Sequence, residues 1–334
     1  MKEQDIREVS ALLSSPKKIA IIPHRSPDGD AMGSTLALYL FLLKSGHFPT
    51  VIAPNEFPGF LSWLPASEKV LIYEKDRERS TKVLQESELL FALDFNALGR
   101  TGEMENVLNK LSAPFIMIDH HQKPDAFAKF TYSDTTFGST CEMVYNFIGY
   151  LGKKNLIDTA IATCIYTGIV TDSGSFRFPS TTATTHRIVG ELIEIGIQNG
   201  KIHSELFDNN SYESLQLLGQ ALQNMKLMPE FRTSYITLSQ KELDSYNYVK
   251  GDTEGIVNYG LSIKGIIFTA IFIEHAEENI IKISFRSKGD FDVNSFARQH
   301  FSGGGHINAA GGKSALSMEE TIKKFEKIVT QMPT

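Results

Sequence analysis

Between Lys17 and Asp119, short apolar runs alternate with longer helix-like stretches. KKIAIIPH, PTVIAP, KVLIYE, ELLFALD and APFIMID read as strands, and DAMGSTLALYLFLLKSG reads as a helix ending at Gly46. Apolar runs this short, bounded by polar residues, suit strands covered on both faces better than helices. Their alternation with helical patterns restricts the first half to an α/β layout, a parallel sheet with helices on both faces.

From Ser139 the pattern becomes helical, in STCEMVYNFIGYL, NLIDTAIATCIYTGIV and TATTHRIVGELIEIG, with ESLQLLGQALQNMKLM as a further helix. Strand patterns then return in SYITLS, IIFTAIFIEH and NIIKISFRS, and the last two can pair as a hairpin across the polar AEE turn. VNSFARQHF and MEETIKKFEKIV read as helices flanking the Gly-rich FSGGGHINAAGGK. A chain of 334 residues is long for one core. The pattern predicts a parallel-sheet domain over 1–190, a helical connector over 191–229 and a smaller mixed α/β domain over 230–334.

Hydrophobic residues make up 42% and charged residues 22%, a globular profile. The net charge of -6 argues against a protein that coats long duplex DNA. Two cysteines, each inside an apolar helical segment, offer neither a disulfide framework nor a cysteine zinc site. The charged, amphipathic start and the lack of a membrane-length apolar run predict a cytoplasmic protein with no membrane contact.

Acids and histidines gather where the apolar runs end. His24, Asp28 and Asp30 follow the first strand, Asp94 ends LLFALD, and Asp119, His120 and His121 end FIMI; Asp172 follows the apolar segment closing in GIVT. In an open parallel sheet, the carboxyl ends of the strands face one ligand-binding crevice. Each residue has a plainer reading: Asp30 as a helix N-cap, Asp28-Gly29 and Asp172-Ser-Gly as turns, Ser139 with Glu142 as a capping box. Coincidence at several strand ends favours a site for His24, Asp28, Asp30, Asp94, His120 and Asp172. Two imidazoles and four carboxylates without thiolates suit Mn²⁺ or Mg²⁺, with Zn²⁺ or Co²⁺ accommodated in vitro. Two such ions, about 3.5–4 Å apart, can clamp a phosphoryl group.

HRSPDGDAMGS, LDFNALGR, MIDHHQKP and VTDSGSFRF resemble, in order, the motifs of the DHH phosphoesterase family, and FSGGGHINAAGG resembles the signature of its associated C-terminal domain. The resemblance covers nearly the whole chain and is nearest to the short, stand-alone oligoribonucleases that also dephosphorylate 3'-phosphoadenosine 5'-phosphate. It implies an active site in an interdomain cleft, two divalent ions (most often Mn²⁺) and short single-stranded RNA or small nucleotide phosphates as substrates. It is compatible with a homodimer. By motif, His24, Asp28 and Asp94 would hold one ion, and Asp30, Asp94, His120 and Asp172 the other. Asp119 would orient a neighbour, and His121 would face the scissile phosphate. Ser26 stands where many members have Asn.

The resemblance also implies that Gly303, Gly304 and Gly305 form a backbone N–H nest for a phosphate, with His306 beside it. Arg286, followed by Ser287, would clamp a phosphate, and Arg100 would contribute near the metal site. Within the fold, a manganese pyrophosphatase would lack the GGGH tail, and a RecJ-like exonuclease would need further DNA-binding modules. A cyclic- or linear-dinucleotide phosphodiesterase remains an alternative. So, from another class, does a non-catalytic nucleotide sensor.

Overall fold

Successive residues of the central strands enter two different cores, and this alternation builds the three layers of the first unit. A computed structural model describes residues 1–332 and divides the chain into two units, Met1–Asn209 and Asn210–Thr334. The first unit contains α1 (Glu3–Leu12), β1 (Lys18–Ile22), α2 (Gly29–Lys44), β2 (Phe48–Ala53), β3 (Leu71–Ile72), α3 (Arg77–Glu86), β4 (Leu89–Leu93), α4 (Glu105–Leu108), β5 (Phe115–Asp119) and β6 (Phe130–Ser133). It closes with α5 (Thr140–Tyr150), α6 (Thr159–Asp172), α7 (Ala183–Glu194) and α8 (Asn199–Phe207). Ile19, Ile21, Phe91 and Ile118 pack with apolar residues of α2, α5 and α6, while Ala20, Ile22, Ala92 and Met117 pack with Leu84 of α3 and Leu108 of α4. Each fully buried large side chain contributes about 1.5–3 kcal/mol.

The six strands form one parallel sheet in the order β3-β2-β1-β4-β5-β6. The chain reverses its winding between β1 and β4, which opens a ligand crevice beyond their carboxyl ends. Register pairs Ile22 with Ala92 and Leu93 with Ile118, so the residues after β1, β4 and β5 leave the sheet along one edge.

Glycines let the helices close over that edge. A Cβ on Gly33 of α2 would lie 2.5 Å from the Cys164 carbonyl oxygen, and one on Gly168 of α6 would lie 2.6 Å from Asp30 Oδ1. Only glycine permits α2, α5 and α6 to approach this closely.

The second unit contains α9 (Tyr212–Gln223), β7 (Lys226–Met228), β8 (Thr233–Leu238), α10 (Gln240–Ser245), α11 (Asn258–Ser262), β9 (Phe268–His275), β10 (Ile280–Ser287), α12 (Val293–His300), β11 (Gly304–Gly305), β12 (Ala309–Ser314) and α13 (Met318–Thr330). Its sheet, in the order β11-β12-β10-β9-β8-β7, is mixed, with β8 and β9 parallel and the remaining pairs antiparallel. The expected hairpin is present, with Ile280 opposite His275.

Several elements differ from the sequence reading. The boundary between the two units falls inside the expected 191–229 connector. Leu192, Ile197 and Ile202 are buried in the core of the first unit, whereas Leu217 and Ala221 are buried in the second. The helix expected to run to Met228 stops at Gln223, and Lys226–Met228 pairs with β8 as an edge strand. KVLIYE supplies only the two residues of β3, and β6 was not anticipated. No helix among the described residues is long and apolar enough to cross a membrane.

Candidate metal centre

Asp28, not Asp30, caps α2: its side chain accepts hydrogen bonds from the Asp30 and Ala31 amides at 3.1 and 3.0 Å. That frees Asp30, the second residue of the helix, to face α5. There its Oδ2 accepts from Thr140 N at 2.6 Å and its Oδ1 from Cys141 N at 2.9 Å. The Ser139 hydroxyl caps α5 through Glu142 N, but no reciprocal bond closes a capping box, because the Glu142 carboxylate accepts from Thr185 Oγ1 instead.

Asp94 leaves β4 with φ of 63°, a left-handed conformation that costs a non-glycine residue about 1–3 kcal/mol. Its Oδ2 lies 3.5 Å from His24 Nε2, and its Oδ1 lies 3.5 Å from His120 Nε2 and 3.7 Å from His121 Nδ1. His24 Nε2 is also 3.9 Å from Asp28. His120 Nε2 is 3.8 Å from Asp30 and 3.3 Å from Asp172. Asp119 is fully buried and holds His121 twice, at the backbone amide (2.8 Å) and at Nδ1 (2.7 Å).

The ligand atoms of His24, Asp28 and Asp94 lie within 4.8 Å of one another, as do those of Asp30, His120 and Asp172. Both imidazoles are oriented for this. His24 Nδ1 is 2.8 Å from the Arg25 carbonyl oxygen and His120 Nδ1 is 3.1 Å from that of Phe137. A carbonyl can only accept, so Nδ1 carries a proton, and Nε2, turned to the carboxylates, is the ring atom left for a cation. Divalent cations suit such a donor set, with hard carboxylate oxygens, outward lone pairs and the remaining ring nitrogens tied back.

The electrostatics ask for positive charge. Burial disfavours an ionised Asp94, yet the contacts with His120 and His24 and the charge of His121 hold its carboxyl well below the usual range. Burial, then the charges of Asp94 and Asp172, push Asp30 well above it. Burial also disfavours a charged His120, but Asp94, Asp172 and Asp30 overcome it and raise its pKa well above the ordinary value. At His24 burial is likewise outweighed by Asp94 and Asp28, while the Arg100 charge opposes them. The Asp28 and Asp172 side chains are 50% and 28% exposed, so the site opens to solvent on their side.

All eight acids and histidines singled out in the first unit therefore meet in one place. Arg100 lies beyond β4, where its carbonyl accepts from Arg25 N and its charge acts on His24.

In the second unit, Arg286 and Ser287 close a strand as expected, while Ser287 and the Gly-rich segment make internal hydrogen bonds. The N–H nest over Gly303–Gly305 is largely used up internally. Gly303 N donates to Ala297 O, Gly305 N to Asn294 Oδ1 and His306 N to Ala309 O, while Gly304 and Gly305 pair with β12. Backbone N–H groups buried in a sheet need such partners. Ser287 is turned inward, donating to Phe291 O at 2.6 Å and accepting from Asn308 Nδ2 at 2.9 Å. Arg286 sits at the end of β10 with Nη1 donating to Phe285 O. Sequence reading missed Thr140, whose hydroxyl donates to Asp94 Oδ1 at 2.9 Å; in the Ser-Thr-Cys-Glu run only the capping pattern was visible.

Comparison with known proteins agrees with this geometry. The profile of the DHH family N-terminal domain matches residues 18–169 and that of the DHHA1 domain matches residues 233–332. The bifunctional oligoribonuclease and PAP phosphatase NrnA of Thermus thermophilus is 31% identical, over 98% of this chain and 93% of its own. The Bacillus subtilis protein of the same name is 29% identical, over 99% and 98%. The crystal structure of an exopolyphosphatase-related protein from Bacteroides fragilis superposes with a TM-score of 0.94 at 39% identity, covering 99% of this chain and 96% of that one. Matched along its length by both domains and by these relatives, the chain belongs to the DHH family and is a metal-dependent phosphoesterase.

Proposed function

We propose that the protein hydrolyses short RNA oligonucleotides to mononucleotides and dephosphorylates 3'-phosphoadenosine 5'-phosphate to AMP, using two divalent cations, Mn²⁺ foremost. The observation that carries this is the split arrangement around Asp94, with one carboxylate oxygen toward His24 and the other toward His120. Full-length similarity to relatives named for these two activities supports the substrate class.

In this reading His24, Asp28 and Asp94 hold one cation and Asp30, Asp94, His120 and Asp172 the other. Bound there, the cations supply Lewis acidity toward a phosphoryl oxygen and toward water. The four aspartates offset the charge of two such ions, so the occupied site does not repel a phosphate strongly. His121, held through Nδ1 by buried Asp119, would face a phosphoryl oxygen and stabilise its charge. Arg100, Arg286 and His306 are assigned to substrate phosphates, whereas the inward-turned Ser287 shapes the loop beside Arg286.

The test is product analysis with Mn²⁺. The purified protein and its Asp94→Ala variant are offered 3'-phosphoadenosine 5'-phosphate, a 5'-phosphorylated RNA dinucleotide, a 24-mer RNA, cyclic di-AMP and pyrophosphate. AMP and mononucleotides from the first two, absent with the variant, are expected. Turnover of cyclic di-AMP or pyrophosphate alone would overturn the substrate assignment, and no turnover of any would overturn the enzymatic reading.

A further inference from the structure

Thr140 is the first residue of α5 and is fully buried. It touches two carboxylates that come from different elements. Its amide donates to Asp30 Oδ2, from α2, at 2.6 Å, and its hydroxyl donates to Asp94 Oδ1, from the end of β4, at 2.9 Å. The neighbouring Cys141 amide takes the other oxygen of Asp30 at 2.9 Å. The helix behind these donors runs 11 residues, so its positive end adds to the attraction.

The consequence lies in the Asp94 carboxylate. A free carboxylate rotates about Cβ–Cγ and can turn either oxygen, or both, to one cation. With Thr140 Oγ1 on Oδ1, that torsion is held so that Oδ2 faces His24 and Oδ1 faces His120. The backbone of Asp94 is already fixed in its left-handed conformation. Thr140 therefore controls the remaining freedom of the one side chain shared by both halves of the site.

We infer that Thr140 is a positioning residue that sets one Asp94 oxygen toward each half of the metal centre and couples Asp94 to Asp30. This rests on the two-cation reading above. The threonine methyl is not part of the device, since the amide and the hydroxyl make both contacts. The hydroxyl should therefore be separable from the shape of the side chain. Valine keeps the branched shape and loses the donor, whereas serine keeps the donor and loses a methyl.

The experiment is calorimetric titration of Mn²⁺ into the metal-free full chain for wild type, Thr140→Val and Thr140→Ser, with thermal unfolding of each metal-free protein alongside. Loss of an outer hydrogen bond to a metal ligand costs about 10–100-fold in affinity. The expected result is at least tenfold weaker Mn²⁺ binding in Thr140→Val and binding within about threefold of wild type in Thr140→Ser. The metal-free Thr140→Val protein should unfold cooperatively, which separates lost positioning from lost folding. Equal Mn²⁺ binding by wild type and Thr140→Val would overturn the inference alone. Thr140→Ser as weak as Thr140→Val would overturn it too, by assigning the effect to packing. Wild type that binds no Mn²⁺ would overturn the two-cation reading and this inference with it.

Discussion

His120 Nε2 stands 3.3 Å from Asp172 Oδ2, joining the residue after β5 to the last residue of α6. The pair closes the carboxylate-rich half of the site, so a cation there should tie the sheet to α6. At a free Mn²⁺ concentration 100 times its dissociation constant, binding stabilises the fold by about 2.7 kcal/mol. The expected outcome is a rise of roughly 5 °C or more in Tm. Asp172→Asn should shrink it, because the affinity falls. Differential scanning calorimetry with and without Mn²⁺ reads this, and equal shifts in the two proteins would remove Asp172 from the ligand set.

Gly168 lies against Asp30 and Cys141, and any Cβ there collides with both. Gly168→Ala should destabilise the protein by about 1–3 kcal/mol, as overpacking does. It should also weaken Mn²⁺ binding by pushing Asp30 from the α5 amides. Adding Cys141→Ala relieves the contact with sulfur but not the one with the carboxylate. In the double variant, stability measured in urea should recover in part while Mn²⁺ affinity stays low. Recovery of both would show that Asp30 was never displaced.

Arg286 and Ser287 are adjacent on β10 but should respond differently to mutation. Arg286→Ala is expected to raise KM by about tenfold with a smaller fall in kcat, as removal of uniform substrate binding does. Ser287→Ala leaves the Phe291 carbonyl and the Asn308 amide short of a partner, which costs about 1–3 kcal/mol of stability. Steady-state kinetics beside urea unfolding distinguishes them. An unchanged KM in Arg286→Ala would take that residue out of the substrate site.

His47 is buried, and among the described residues neither of its ring nitrogens has a hydrogen-bond partner. Burial, reinforced by the charges of Lys153 and Lys17, lowers its pKa in the folded protein. The unfolded chain takes up this proton near pH 6.5 and the folded protein only at lower pH. Below about pH 6.5 the unfolded state therefore binds more protons, and stability falls as pH falls. His47→Leu should remove that component: its stability relative to wild type should be greater at pH 5.5 than at pH 8. A difference independent of pH, measured by urea unfolding, would contradict it.

The strand ends and their acids were legible from the sequence because each is a local pattern: an apolar run, then a charged residue. That sufficed for the parallel sheet and for naming the eight acids and histidines that the first unit gathers in one place. Strand order was not legible, since it depends on pairing between distant segments. β6 and β12 were missed for related reasons. The four residues of Phe130–Ser133 give little periodicity, and Ala309–Ser314 is built of residues with poor strand propensity.

What the sequence by itself determined was the inventory: which residues could bind cations, and that all but Asp172 follow strands of one sheet. Only the tertiary structure decided how they are used. It gave the capping of α2 to Asp28, turned Asp30 onto the α5 amides, spent Gly-rich N–H groups on partners within the second unit, α12 among them, and brought Thr140 to Asp94. These outcomes depend on helix approach distances and hydrogen-bond partners far apart in sequence, and a linear pattern of residues does not encode them.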